Sequence, residues 1–188
     1  MANVVPTEHR GPDQARTAKS LIVVNTGDGK GKSTAAFGIV MRAVARDWRV
    51  AVVQFLKSGE WHVGEEEVAQ RLGVDWWVLG EGFTWDSNDL SRDEAVARAA
   101  WAHAKETIAS GEYRLVVLDE VTYPINWGWI DLGDVVTTLR SRPERVNVIA
   151  TGRDAPEGLV DVADTVTEMR KVKHAYDRGI LAKKGIDY

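Results

Sequence analysis

The stretch Thr26-Gly27-Asp28-Gly29-Lys30-Gly31-Lys32-Ser33-Thr34 packs three glycines and two lysines into nine positions. Glycine reaches positive φ without steric cost, so such a loop turns successive backbone N–H groups toward one anion. Lys32 adds a full positive charge, and Ser33 offers a hydroxyl to a magnesium ion on the phosphates. The general phosphate-loop pattern has glycine where this chain has Thr26, so the match is to a variant. Leu115-Val116-Val117-Leu118 is an apolar run closed by Asp119-Glu120, which puts carboxylates where a metal–phosphate complex needs them. The competing reading is a strand that ends in helix-capping acids. Thr151-Gly152-Arg153 closes another apolar run, and Arg153 there is either a phosphate ligand or a solvated cation. Together these residues predict a triphosphate site, with ATP as the nucleotide.

Such groups must be delivered by elements that end at one place. Leu21–Val24 reads as a buried strand, followed by the glycine loop and a helix over Lys32–Arg46. Further strands are expected at Arg49–Phe55, Val74–Leu79, Leu115–Glu120, Val146–Thr151 and Thr165–Thr167. Helices are expected over Val63–Leu72, from a Ser91/Glu94 capping box to about Ser110, from Asp131 to near Pro143, and near Pro156. Apolar strands alternating with helices predict an α/β fold whose parallel sheet is covered by helices on both faces. Ligands of such sheets gather at the carboxyl ends of the strands, where the three chemical stretches lie.

Composition narrows the class. The chain has 188 residues, 44% hydrophobic and 28% charged, in keeping with one domain over residues 20–188 behind a flexible arm over residues 1–19. The absence of cysteine excludes disulfides, zinc–thiolate and iron–sulfur sites and thiol nucleophiles, and makes a cytoplasmic location the expectation. A net charge of −4 offers no basic field for nucleic acid. No apolar run approaches the ~20 residues of a membrane span, and the first residues lack the apolar core of a signal peptide. Eight tryptophans against three phenylalanines is an unusual supply of large flat rings. Trp76 and Trp77 must face opposite sides of a strand, and Trp101 shares a helical stripe with Ala97, Ala104 and Ile108. Phe83 and Trp85 lie among Gly80, Gly82 and Asp86, in a loop.

From about residue 20 onward the chain resembles the P-loop ATP:corrinoid adenosyltransferases. The resemblance is carried by the run from Thr26 through Ala35-Ala36-Phe37-Gly38, by Val53-Gln54-Phe55, and by Gly82-Phe83-Thr84-Trp85-Asp86. It continues in Leu118-Asp119-Glu120 with Thr122-Tyr123, Arg142-Pro143, Thr151-Gly152-Arg153, Val172-Lys173-His174-Ala175-Tyr176-Asp177 and Gly185-Ile186-Asp187-Tyr188. Thr26 is what that family carries at this point. The resemblance implies a P-loop NTPase fold of RecA-like strand order, with the Asp119-Glu120 strand separated from the first by the one ending at Arg153. It implies transfer of the 5′-deoxyadenosyl group of ATP to the cobalt of a reduced corrinoid, with release of triphosphate. The loop Gly27–Thr34, with Asp28 and Lys30, would hold the nucleotide, joined by Arg42 and Gln54; Lys32, Glu120 and Arg153 would act in catalysis. Ser33, Asp119 and Glu120 would hold Mg²⁺ (or Mn²⁺), and Phe83 and Trp85 would sit against the lower face of the corrinoid. A homodimer, whose N-terminal arm reaches the partner subunit's site, and a reduced flavoprotein as electron donor are also implied. An ordinary ATPase or kinase is the rival enzyme, and a corrinoid carrier the rival binding protein.

Overall fold

The computed structural model describes residues 15–58, 64–80 and 90–187. Six strands form one parallel sheet in the order β3-β2-β4-β5-β1-β6. They are β1 (Ile22–Thr26), β2 (Val50–Ser58), β3 (Asp75–Gly80), β4 (Leu115–Asp119), β5 (Asn147–Thr151) and β6 (Thr165–Glu168). The helices are α1 (Lys32–Val44), α2 (Gly64–Arg71), α3 (Leu90–Ala109), α4 (Thr122–Asn126), α5 (Leu132–Ser141) and α6 (Glu157–Val162), with a 3₁₀ turn at Tyr176–Arg178. β5 lies between β4 and β1, as the resemblance implies.

Because side chains alternate across a strand, each central strand feeds two cores. Ala51, Val53 and Phe55 of β2, Val116 and Leu118 of β4, and Val148 and Ala150 of β5 point to one face. There they meet Ala100, Trp101, Ala104 and Ile108 of α3, Val135 and Leu139 of α5, and Leu159 of α6. Val50, Val52, Leu115, Val117 and Ile149 point to the other face, against Ala36, Phe37, Val40 and Ala43 of α1 and Ala69 of α2. This is why the strands read as unbroken apolar runs: both faces are covered. Trp76 and Trp77 split as strand geometry demands. Trp76 packs on Phe37, with ring centroids 5.1 Å apart, and Trp77 meets His103 and Tyr113 on the far side. Trp101 is core and donates its indole N–H to Asp134 at 2.7 Å.

Two local expectations shift. α3 begins at Leu90, so Ser91 lies inside the first turn rather than capping it, and Glu94 pairs with Arg98 one turn on. α4 has no clear sequence signal, being five residues long and containing Pro124. By contrast α5 starts where expected, with Asp131 accepting from the Asp134 backbone at 2.7 Å. Among the described residues no helix is long and apolar enough to cross a membrane. The arm expected over residues 1–19 falls largely outside the described residues.

Candidate nucleotide site

The carboxyl ends of β4, β5 and β1 are neighbours, and the three chemical stretches leave the sheet there. β1 runs into the glycine loop, and α1 starts at Lys32 immediately behind Gly31. Gly27 has φ +93, and a Cβ there would lie 2.6 Å from the Met169 carbonyl, so any larger residue is barred both by conformation and by space. Lys32 Nζ donates to the carbonyls of Gly27 (2.7 Å) and Gly29 (2.8 Å), arching its side chain over the loop. Asn25 Nδ2 holds the first turn of α1 through the Lys32 carbonyl at 3.1 Å. Burial, followed by the charge of Arg153, pushes the Lys32 ammonium below the ordinary lysine range, while Glu120 and Asp28 pull it back. An anion placed beside it is therefore met by a partly desolvated cation.

A cavity of about 210 Å³ opens over this loop. Lys30, Lys32, Ser33, Glu120, Tyr123 and Arg153 line it. Cations thus arrive from the β1 and β5 ends and a carboxylate from the β4 end. Burial, with Glu120 next in effect, pushes the Tyr123 phenol up, keeping it a protonated donor.

Glu120 is placed by its backbone. It follows β4 with φ +64, an uncommon conformation for a residue with a side chain. Its N–H donates to Thr151 Oγ1 at 2.9 Å, and Thr151 Oγ1 donates in turn to Asp119 Oδ1 at 2.7 Å. Gln54 Nε2 donates to the other oxygen, Asp119 Oδ2, at 2.9 Å. Gln54, Asp119 and Thr151 are all fully buried. Parallel register dictates this cluster, since Gln54 pairs with Asp119 and Leu118 with Ala150. Beyond β5, Gly152 has φ +141, and a Cβ there would collide with Thr122 Oγ1. Thr122 Oγ1 uses that closeness to donate to the Arg153 carbonyl at 2.7 Å, joined by Asn126 Nδ2 at 3.4 Å. α4 thereby fixes the backbone that carries Arg153.

Of the residues singled out in the sequence, Lys30, Gly31, Lys32, Ser33, Thr34, Glu120 and Arg153 come together on the cavity. Gly27, Asp28 and Gly29 form the stem of the loop. Arg42 does not join them: it is exposed in the last turn of α1. It stands ten residues beyond Lys32, about 15 Å along the helix at 1.5 Å per residue. Gln54 and Asp119 lie beneath the cavity wall rather than on it. Phe83 and Trp85 lie outside the described residues. Sequence reasoning gave no role to Tyr123, Glu65 or Asp187, all of which line the cavity. Tyr123 and Asp187 stood inside stretches quoted for the resemblance, which was the available signal; Glu65 had none. A second, apolar cavity of about 450 Å³ adjoins the first between α1 and α2 and shares Thr34, Phe37 and Glu65 with it.

Residues 18–188 match the family model described as ATP:corrinoid adenosyltransferase BtuR/CobO/CobP. The corrinoid adenosyltransferase of Escherichia coli K12 is 45% identical over 175 residues, covering 93% of this chain and 89% of that protein. Corrinoid adenosyltransferase CobA of Salmonella typhimurium LT2 is 44% identical over 175 residues, with the same coverage. The Pseudomonas aeruginosa corrinoid adenosyltransferase is 44% identical over 177 residues, covering 93% of this chain and 87% of its own length. With a phosphate loop, a carboxylate strand and a facing arginine converging on one cavity, and with family similarity running through nearly its whole length, the chain belongs to the ATP:corrinoid adenosyltransferases.

Proposed function

We propose that this chain transfers the 5′-deoxyadenosyl group of ATP to the Co(I) centre of a reduced corrinoid and releases triphosphate, a step in making adenosylcobalamin. The observation that carries the reading is the cationic cavity at the β4-β5-β1 ends, in a chain of this family. In the reaction the cobalt electron pair attacks C5′, a cobalt–carbon bond forms, and the C5′–O5′ bond breaks with its electron pair leaving on the triphosphate. The nucleophile brings no proton, so the protein has alignment and charge neutralisation to supply. Lys32, the loop N–H groups and Arg153 neutralise the departing chain. Lys30 and the Tyr123 phenol add donors on the same cavity.

A hard divalent cation, Mg²⁺ or Mn²⁺, would add Lewis-acid neutralisation of the triphosphate. Among the described residues no group of three or more His, Cys, Asp or Glu is arranged to hold a metal ion. That suits Mg²⁺ bound through phosphate oxygens, waters and one or two protein oxygens, here the Ser33 hydroxyl and Glu120. Asp119, with its oxygens engaged by Thr151 and Gln54, supports Glu120 from beneath. Phe83 and Trp85 cover the lower face of the corrinoid and displace its axial ligand, which eases reduction to Co(I). A reduced flavoprotein donates the electron, and the working unit is a cytoplasmic homodimer.

Phosphorus NMR of the product mixture, with and without chemically prepared Co(I) corrinoid, tests the reaction. One triphosphate per alkylcobalt formed is expected, with none in the absence of corrinoid. ADP and phosphate released at a comparable rate without corrinoid, and no alkylcobalt spectrum, would return the chain to the ordinary P-loop ATPases.

A further inference from the structure

Lys30 lines the phosphate cavity, yet its ammonium forms an ion pair with the carboxylate of Asp187, which lines the same cavity. The two residues are 157 positions apart in sequence. Asp187 belongs to a turn bonded to itself. Its Oδ2 accepts from the Lys183 N–H at 2.8 Å, and the N–H groups of Asp187 and Ile186 donate to the Lys183 carbonyl at 2.8 and 3.0 Å. Within this turn the Asp187 side chain is 24% exposed while Ile186 is 72% exposed, so the carboxylate is what the turn directs into the protein. The stretch leading to it also leaves from the loop: Met169 N–H donates to the Thr26 carbonyl at 2.8 Å, and Gly29 N–H to the Met169 carbonyl at 2.5 Å. Residues 169–187 therefore begin and finish on the phosphate loop.

A carboxylate facing a cavity that takes a polyanion is unfavourable unless it has a task. Asp187 takes one of the three donors of the Lys30 ammonium and offsets its charge, so a phosphate oxygen arriving there meets a cation already partly neutralised and must draw it away from the carboxylate. The Lys30 ammonium and the Lys183 N–H hold the Asp187 carboxyl below the usual carboxylate range, so the competitor is charged at neutral pH.

We propose that Asp187 is an affinity-setting residue of the nucleotide site: it competes with the phosphate chain for Lys30, so that a triphosphate reaching Lys30 displaces it and frees the 183–187 turn. This rests on the nucleotide reading above and adds to it a residue that sets affinity from outside the loop. The competition acts through one cation, so its effect must vanish when that cation is removed.

The experiment is calorimetric titration of Mg·ATP and of tripolyphosphate into the full chain, its D187N and K30Q variants, and the double variant. Asp187 pairs with Lys30 at a partly exposed site, so D187N is expected to tighten both ligands about threefold to fivefold. In the K30Q background the same change should alter affinity by less than twofold. Trypsin cleavage after Lys183 and Lys184 gives a second readout. ATP should speed it in the unmodified protein, and in D187N it should be fast without ATP. Weaker ATP binding by D187N, an equal effect with and without Lys30, or ATP protecting Lys183 and Lys184 from trypsin would each overturn the proposal while leaving the nucleotide site intact. Failure of the unmodified protein to bind ATP or tripolyphosphate would overturn the nucleotide reading itself, and this proposal with it.

Discussion

Replacing Thr151 with valine keeps the branched shape of the side chain and removes one hydroxyl. That hydroxyl accepts from the Glu120 N–H at 2.9 Å and donates to Asp119 Oδ1 at 2.7 Å, at a fully buried position. In the variant the part-buried Glu120 N–H and an oxygen of the fully buried Asp119 carboxylate each lose this partner. A buried donor that loses its partner costs about 1–3 kcal/mol and a bond to a charged acceptor contributes about 1.5–3, so the expected loss of stability is about 2.5–6 kcal/mol. Against a usual total of about 5–15 kcal/mol this is large. Thr151→Ser keeps both bonds and gives up one buried methyl, at about 1 kcal/mol. Urea unfolding should place the midpoints in the order Thr, Ser, Val with an unchanged slope. Glu120 depends on the same bond to hold its φ of +64, so adenosyl transfer by folded Val variant at saturating ATP should also fall at least about tenfold, one such bond's worth. The reasoning fails if valine is no more destabilising than serine, or if turnover survives while stability falls.

Lys32→Ala removes a charge-assisted contact from a sheltered cavity and should lower kcat by about 10²–10³; a variant retaining half its rate at saturating ATP would take Lys32 out of the site. ATP affinity should depend on pH through Lys32, whose ammonium lies below the ordinary lysine range when free and is raised by bound phosphate. Affinity is then full below the depressed value and falls as pH climbs through it, earlier than the ordinary lysine value of about 10.4. Dissociation constants between pH 7 and 10 measure this, and an identical profile in Lys32→Ala would assign the titration elsewhere. Phe83→Ala and Trp85→Ala should slow transfer to Co(II) corrinoid under a mild protein reductant far more than transfer to prepared Co(I). Equal losses in the two assays would make the pair general binding residues.

The phosphate loop and the two strand ends were legible because their signal is local. Glycine spacing, an apolar run and the acid or arginine after it stand within a few residues of one another, and the apolar alternation of β2, β4 and β5 needs only the pleat to read. What the sequence hid depends on register. Gln54 drew notice only through the family resemblance, and its bond to Asp119 follows from the β2–β4 pairing, just as Thr151 means little until β5 lies beside β4. The strand order itself was legible only through the family resemblance, since periodicity does not say which strands are neighbours. Arg42 stands apart from the loop for a metric reason: a helix carries its tenth residue away from its own N-terminus. Asp187 was hidden by distance along the chain, because no local rule ties it to Lys30.

The arrangement explains why so little conventional acid–base machinery is needed. Neighbouring parallel strands are about 4.8 Å apart, so the ends of β4, β5 and β1 fall within about 10 Å of one another. Glu120, Arg153 and Lys32 leave from those ends. The buried Gln54-Asp119-Thr151 cluster and the Thr122 bond to the Arg153 carbonyl then fix two of the three backbones before any ligand arrives. A site that moves protons would tune a His, Asp or Glu toward neutrality. Here the perturbed groups on the cavity are a lysine held low, a tyrosine held high and the Asp187 carboxyl held below the carboxylate range, and none of them is an acid or imidazole drawn toward neutrality. Donors fixed in place and aimed at a leaving polyanion are what alkyl transfer from ATP to a proton-free metal nucleophile demands. A base-limited phosphoryl transfer would show its base as an acid limb in the rate profile. In this site the first limb should be the alkaline one, from Lys32.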